Sequence, residues 1–216
     1  MQEVIRRAER SRGEVLVDAH KIQITVKDIG TLRGLNWLND EVINFYMQMI
    51  VCQSGKDNFC PVYACTTFFY PKLKDGGHAS VKRWTKKVDI FSHAIILIPV
   101  HLGMHWCLAT IDMQRKAITY YDSMGGNNKA CLNALAEYVK EEHQAKKGAP
   151  LDMSKWSQDI AREIPQQMNG SDCGIFTCKF AEYLSRRAKF TFSQQDMPYF
   201  RKRMVYEIVK NKLLHP

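Results

Sequence analysis

Hydrophobic residues follow two rhythms along this chain. Lys21–Val26 alternates polar and apolar side chains, which predicts a half-buried strand. Between Leu35 and Val51 the apolar residues Val42, Ile43, Phe45, Tyr46, Met49 and Ile50 gather on one side, as in a helix, with Asn36 as N-cap and Asn39 and Asp40 in the first turn. Residues 52–61 read as a loop, Val62–Phe69 as a strand closed by Pro71, and His78–Lys87 as a basic helix. Three segments in succession then read as sheet. Ala94–Val100 is an unbroken apolar run, suited to a strand covered on both faces. His105–Met113 and Lys116–Asp122 follow, joined by a polar turn at Gln114 and Arg115. Asn128–Lys146 reads as a helix stopped by Gly148 and Pro150, and Trp156–Ile164 as an edge strand. Cys173–Arg187 reads as a largely apolar helix, Gln194–Leu214 as an amphipathic one, and residues 1–12 as a short charged helix. Strands in the middle with helices on either side predict an α+β domain over residues 21–216, preceded by a helical extension over 1–20.

Composition narrows the class. A hydrophobic fraction of 45% supports a packed core, and no apolar run is long enough to span a bilayer. The first residues are charged and carry no signal-like apolar stretch, so nothing here directs secretion. The seven cysteines are odd in number and several lie in apolar runs, which favours reduced thiols in a cytosolic or nuclear compartment. No CxxC pair occurs. His101 and His105 are four apart, but Pro99 and Gly103 argue against a helix there, so no metal site is expected. The net charge of +9 reads as solvated helix faces or as a surface that steers an acidic macromolecule.

The chemistry centres on the segment PQQMNGSDCG, residues 165–174. It leads straight into the apolar helix, so Cys173 stands at or beside a helix N-terminus. Unpaired backbone N–H groups and the helix dipole favour a thiolate there, and the same N–H groups suit an oxyanion. Gly174 leaves room for an acyl group, and Gln167 is near enough to add its amide. A buried small residue is the plainer reading of Cys173. The base follows from the hairpin. With a two-residue turn at Gln114 and Arg115, His105 faces Met124 and Asp122 is its diagonal neighbour, about 7–8 Å away and bridgeable by the two side chains. An Asp on one imidazole nitrogen fixes the tautomer and frees the other. Asp112 lies farther down the strand with opposite parity, and one extra turn residue would reverse the argument. His101 is a second candidate base or ligand contact. Trp106 can wall a substrate slot, or it and Trp37 can be core.

His105-Trp106, the blocks WLNDEVINFY (37–46), VKRWTKK (81–87), YYDSMG (120–125) and IPQQMNGSDCG (164–174) together resemble the SUMO-specific proteases of the Ulp/sentrin-specific family. The resemblance runs from about Ile22 to Leu214. It implies a papain-like fold, a triad of His105, Asp122 and Cys173, and Gln167 in the oxyanion hole. It implies that Trp37 and Trp106 form a tunnel over the Gly-Gly tail of SUMO, and that Asp40, Phe68, Arg83 and His101 contact SUMO or its tail. It also implies maturation of SUMO precursors and release of SUMO from lysine conjugates, no cofactor, no specific nucleic acid, a monomer, and a nuclear location that includes the envelope or pore with some cytoplasmic protein. The first twenty residues, Met104 and residues 141–162 depart from the family pattern. Alternatives are a protease for another ubiquitin-like protein such as NEDD8, a silent SUMO-binding module, and a basic nucleic-acid binder.

Overall fold

The computed structural model describes residues 14–56 and 59–214. Strands β1 (Val15–Ala19) and β2 (Ile22–Thr25) form an antiparallel hairpin whose turn residues, His20 and Lys21, both take positive φ. Leu16, Val17 and Ala19 pack against the core. The boundary expected at residue 20 thus falls in the turn of this hairpin, and residues 15–19 pair with the body of the domain. The helix expected over residues 1–12 lies outside the described residues.

Helix α1 (Val26–Gly30) follows, started by a capping box between Thr25 and Asp28. Helix α2 (Asp40–Cys52) begins later than its apolar rhythm suggests. Its N-cap is Asn39, whose Oδ1 accepts from Val42 N at 3.1 Å while its Nδ2 donates to Asp28 at 2.7 Å. Residues 35–39 therefore stay outside the helix, and Trp37 stands 43% exposed. Strand β3 is only Val62–Ala64. Helix α3 (Phe69–Val81) starts where the strand was expected to end, with Pro71 in the first turn, where its missing N–H costs nothing. Gly77, at φ 60°, kinks α3, and the helix expected over His78–Lys87 is its last turn followed by turns.

Strands β4 (Ile95–His101), β5 (Trp106–Asp112) and β6 (Ala117–Tyr121), helix α4 (Lys129–Lys147), strand β7 (Ser157–Ile160), and helices α5 (Cys173–Ser185) and α6 (Met197–Lys210) complete the fold. The sheet order is β3-β4-β5-β6-β7, with parallel pairs at both edges and antiparallel pairs in the middle. Alternate side chains feed two cores. Ile95, Leu97, Trp106 and Leu108 join a cluster with α2, α5 and α6, while Ile96, Ile98, Cys107, Ala109 and Tyr120 join one with α3 and α4. Helices on both faces explain the unbroken apolar run of β4. No helix among the described residues is long and apolar enough to cross a membrane.

Candidate active site

The β5–β6 ladder pairs Leu108 with Tyr121 and Asp112 with Ala117, the register that a two-residue turn predicts. His105 just precedes β5 and Asp122 just follows β6, so both emerge at one end of the sheet. His105 Nε2 lies 2.7 Å from Asp122 Oδ1, which also accepts from Met124 N at 2.8 Å. The hydrogen bond to Asp122 is the main reason the His105 imidazole is pushed up to about 12, with contacts to Cys107 and Cys173 adding to it. Burial works to raise the Asp122 carboxyl, but the bonds from His105 and Met124 outweigh it and hold the group below the usual carboxylate range. Gly126 runs so close to this carboxylate that a Cβ there would collide with it.

Cys173 opens α5. Asp172, beside it, makes no side-chain cap to the helix, because its carboxylate is held elsewhere. Arg201 from α6 donates to Asp172 Oδ1 at 2.6 and 2.8 Å, and Asn169 and Gln194 donate to Oδ2 at 2.7 and 2.8 Å. The buried Arg201–Asp172 pair thus fixes the loop without a side-chain cap on the first-turn N–H groups, which suit an anion at the helix start. Gly174 has a packing role that the sequence did not show. A Cβ there would stand 2.8 Å from Leu38 Cβ, so glycine lets the segment before α2 pass against the helix start.

Gln167 is fastened to the residue after the acid. Its N–H donates to Ser123 O at 2.7 Å, and its Oε1 accepts from Ser123 Oγ at 2.9 Å. Its Nε2 donates to the carbonyl of Asn169, an acceptor only, so the amide has a single sensible orientation. Ser123 was not foreseen, since its role lies in a contact 44 positions along the chain. Ser123→Ala is expected to lower turnover about tenfold, with KM little changed, by loosening this amide. In a Gln167→Ala background the same change should have almost no further effect; independent losses in the double variant would show that Ser123 acts elsewhere.

Trp106 is 5% exposed and donates from Nε1 to Leu38 O at 3.0 Å. His101 stacks on its ring, with centroids 4.1 Å apart. Trp37, one residue before Leu38, is half open. Phe68 is 57% exposed beside Trp84, and Arg83 is exposed on the same turn as Trp84. Gln48, Tyr63, Phe68 and Trp84 line one concavity of about 530 Å³. Asp40 sits in the first turn of α2. Asp112, the rival acid, is instead engaged by Arg187.

The model of the Ulp1 protease family C-terminal catalytic domain matches residues 36–213. The chain belongs to the Ulp1 protease family. A sentrin-specific protease of Caenorhabditis elegans is 54% identical over 202 residues, covering 93% of this chain and 29% of that protein. Human sentrin-specific protease 2 is 47% identical over 203 residues, covering 93% of this chain and 34% of that protein. The chain therefore spans about a third of the length of these relatives. Among solved structures, the C-terminal Ulp1 protease domain in complex with Smt3, the yeast orthologue of SUMO, superposes with a TM-score of 0.86 at 33% identity, over 97% of this chain and 93% of that one. The α+β, papain-like class expected for this Ulp1-family domain is the one observed.

Proposed function

We propose that this chain is a thiol protease that hydrolyses the bond after the C-terminal Gly-Gly of SUMO, a peptide bond in precursors and an isopeptide bond in lysine conjugates. The observation that carries the reading is the His105–Asp122 pair at 2.7 Å, set beside a helix that begins with Cys173. The likeness to an Ulp1 domain bound to Smt3 supplies the substrate class.

His105 uses Nε2 on Asp122, which leaves Nδ1 for the Cys173 thiol. Cys173, its thiol proton passed to His105 Nδ1, attacks the glycine carbonyl, and Gln167 Nε2 with the N–H of Cys173 receives the oxyanion. The imidazolium then protonates the leaving amine, and water, deprotonated by His105, releases SUMO from the thioester. Trp37 and Trp106 flank the path of the tail, where only glycine lacks a side chain to clash. Asp40, Phe68, Arg83 and His101 are proposed to hold SUMO or its tail. A nuclear location is part of the same proposal.

A panel of C-terminally activated ubiquitin-like probes tests the substrate. SUMO probes are expected to label Cys173, while preferential labelling by NEDD8 or ubiquitin would overturn the assignment. The two tryptophans should separate in a mutational test. Trp106→Ala removes a buried, hydrogen-bonded ring and should cost about 3–5 kcal/mol of stability besides activity. Trp37→Ala, at a half-open ring, should lower kcat/KM with a melting temperature within a few degrees of the parent. Equal destabilisation by both would make Trp37 a core residue.

A further inference from the structure

Cys107 takes no part in the mechanism above, yet it lies against its centre. It sits two positions after His105, on the face of β5 that packs toward α3 and α4, and it is 1% exposed. Cys173 belongs to the cluster on the opposite face. One nitrogen of His105, Cys107 Sγ and one Asp122 oxygen all lie within 4.8 Å of one another. The sequence hides this grouping, because the three residues converge only through the β5–β6 register.

From this geometry we infer that His105, Cys107 and Asp122 form a site for a thiophilic divalent cation of the Zn²⁺ type, which inhibits the enzyme reversibly from behind the catalytic base. A tetrahedral Zn²⁺ holds sulfur at about 2.3 Å and nitrogen or oxygen at about 2.0–2.2 Å, so its donors stand roughly 3.5 Å apart. The three donors reach that spacing by small side-chain shifts. The ion replaces the hydrogen bond between His105 Nε2 and Asp122, and protons from Nε2 and from the Cys107 thiol pass to solvent. Charge is conserved in the exchange. An imidazolium and a carboxylate, with a neutral thiol, give way to Zn²⁺ with a thiolate and a carboxylate. A largely buried site therefore gains no net charge when the metal enters, which lowers the cost of burying the ion. With Nε2 and Asp122 on the metal, the base loses the acid that orients it.

The consequence for activity rests on His105 and Asp122 acting as proposed above; the binding does not. The test is therefore made first without catalysis. Cys52 lies 3.5 Å from His20 Nδ1 and offers a competing two-ligand site, so Cys52→Ser is built into every variant. In the Cys173→Ala variant, Zn²⁺ titrated against a chromophoric chelator is expected to bind at one equivalent. Adding Cys107→Ala should weaken that binding at least tenfold. In the active enzyme, Cys107→Ala should raise the Zn²⁺ concentration for half-inhibition at least tenfold, each variant being compared with its own metal-free rate. Should Cys107→Ala misfold, Cys107→Ser keeps the shape, and Co²⁺ reports the ligand. A thiolate-to-cobalt charge-transfer band is expected in Cys173→Ala and absent after Cys107→Ser. Unchanged Zn²⁺ affinity without Cys107 would overturn the inference by showing that the metal binds elsewhere, and no stoichiometric binding once Cys173 is gone would overturn it by placing the metal on the Cys173 side of the imidazole.

Discussion

Cys173→Ala is expected to abolish cleavage of a SUMO fusion, with a fall in turnover on the order of 10⁶-fold, while binding of the uncleaved fusion persists. The size follows from the nucleophile's place in a unit. Without a thiol, His105 has nothing to activate, and what remains is the oxyanion site and substrate positioning. Binding should survive because the proposed SUMO contacts, among them Phe68 and Arg83, lie on other elements and make no use of the sulfur. Folding should survive as well. Cys173 is a small buried side chain, and the loop before it is held by Arg201 on Asp172 and by Asn169, none of which touches the thiol. The measurement is a single-turnover cleavage assay with a parallel pull-down of the fusion and a melting curve. Residual cleavage at even a thousandth of the parental rate would point to a different nucleophile.

The contact between His105 and Asp122 was legible in the sequence because a short antiparallel hairpin is a local object. Its turn fixes its register, and the register places Asp122 against His105 before any long-range contact is known. Cys173 was legible for a similar reason, as a polar, glycine-containing segment running into an apolar one. What escaped was decided by distant partners. Asn36 and Asn39 are equivalent as N-caps by local preference. The structure selects Asn39, whose other end meets Asp28, and by doing so it frees Trp37 from the helix. The short β3 shows the same effect, since Val62–Ala64 pairs with β4, Cys65 N adds one last bond to Leu97 O at 2.9 Å, and the chain then turns into α3. Basic residues 82–87 look helical in isolation. The chain instead turns after α3, and Lys146 Nζ from α4 takes the freed carbonyls of Thr85 and Lys86 at 2.7 and 2.9 Å. Gly174 and Ser123 were opaque for the same reason: one answers to Leu38, the other to Gln167.

The second large effect should come from Asp122→Asn, with kcat/KM falling roughly 10³–10⁴-fold. Asparagine is nearly isosteric, and its oxygen can still accept from Met124, so the loop need not move. What it removes is the negative charge that holds a proton on His105. The direction of the pH effect follows from the shifts. His105 is raised from 6.5 to about 12, so the stabilisation that the pair gives the fold is complete below 6.5 and is lost as pH rises toward 12. Asp122 is lowered from 3.8, so its share is present above 3.8 and is lost as pH falls through its depressed value. Between those limits the two charges coexist, and His105 holds the proton that the leaving amine needs. In Asp122→Asn the imidazole returns toward its ordinary value, and the protonated form becomes scarce above neutrality. The deficit of the variant should therefore deepen as pH rises, up to about tenfold per unit above the new imidazole value, where the parent remains flat. A profile of kcat/KM between roughly pH 5.5 and pH 9 reads this directly, spanning the ordinary imidazole range. A variant whose loss is the same at every pH would mean that Asp122 orients His105 without stabilising its charge. A variant with near-parental activity would remove Asp122 from the mechanism.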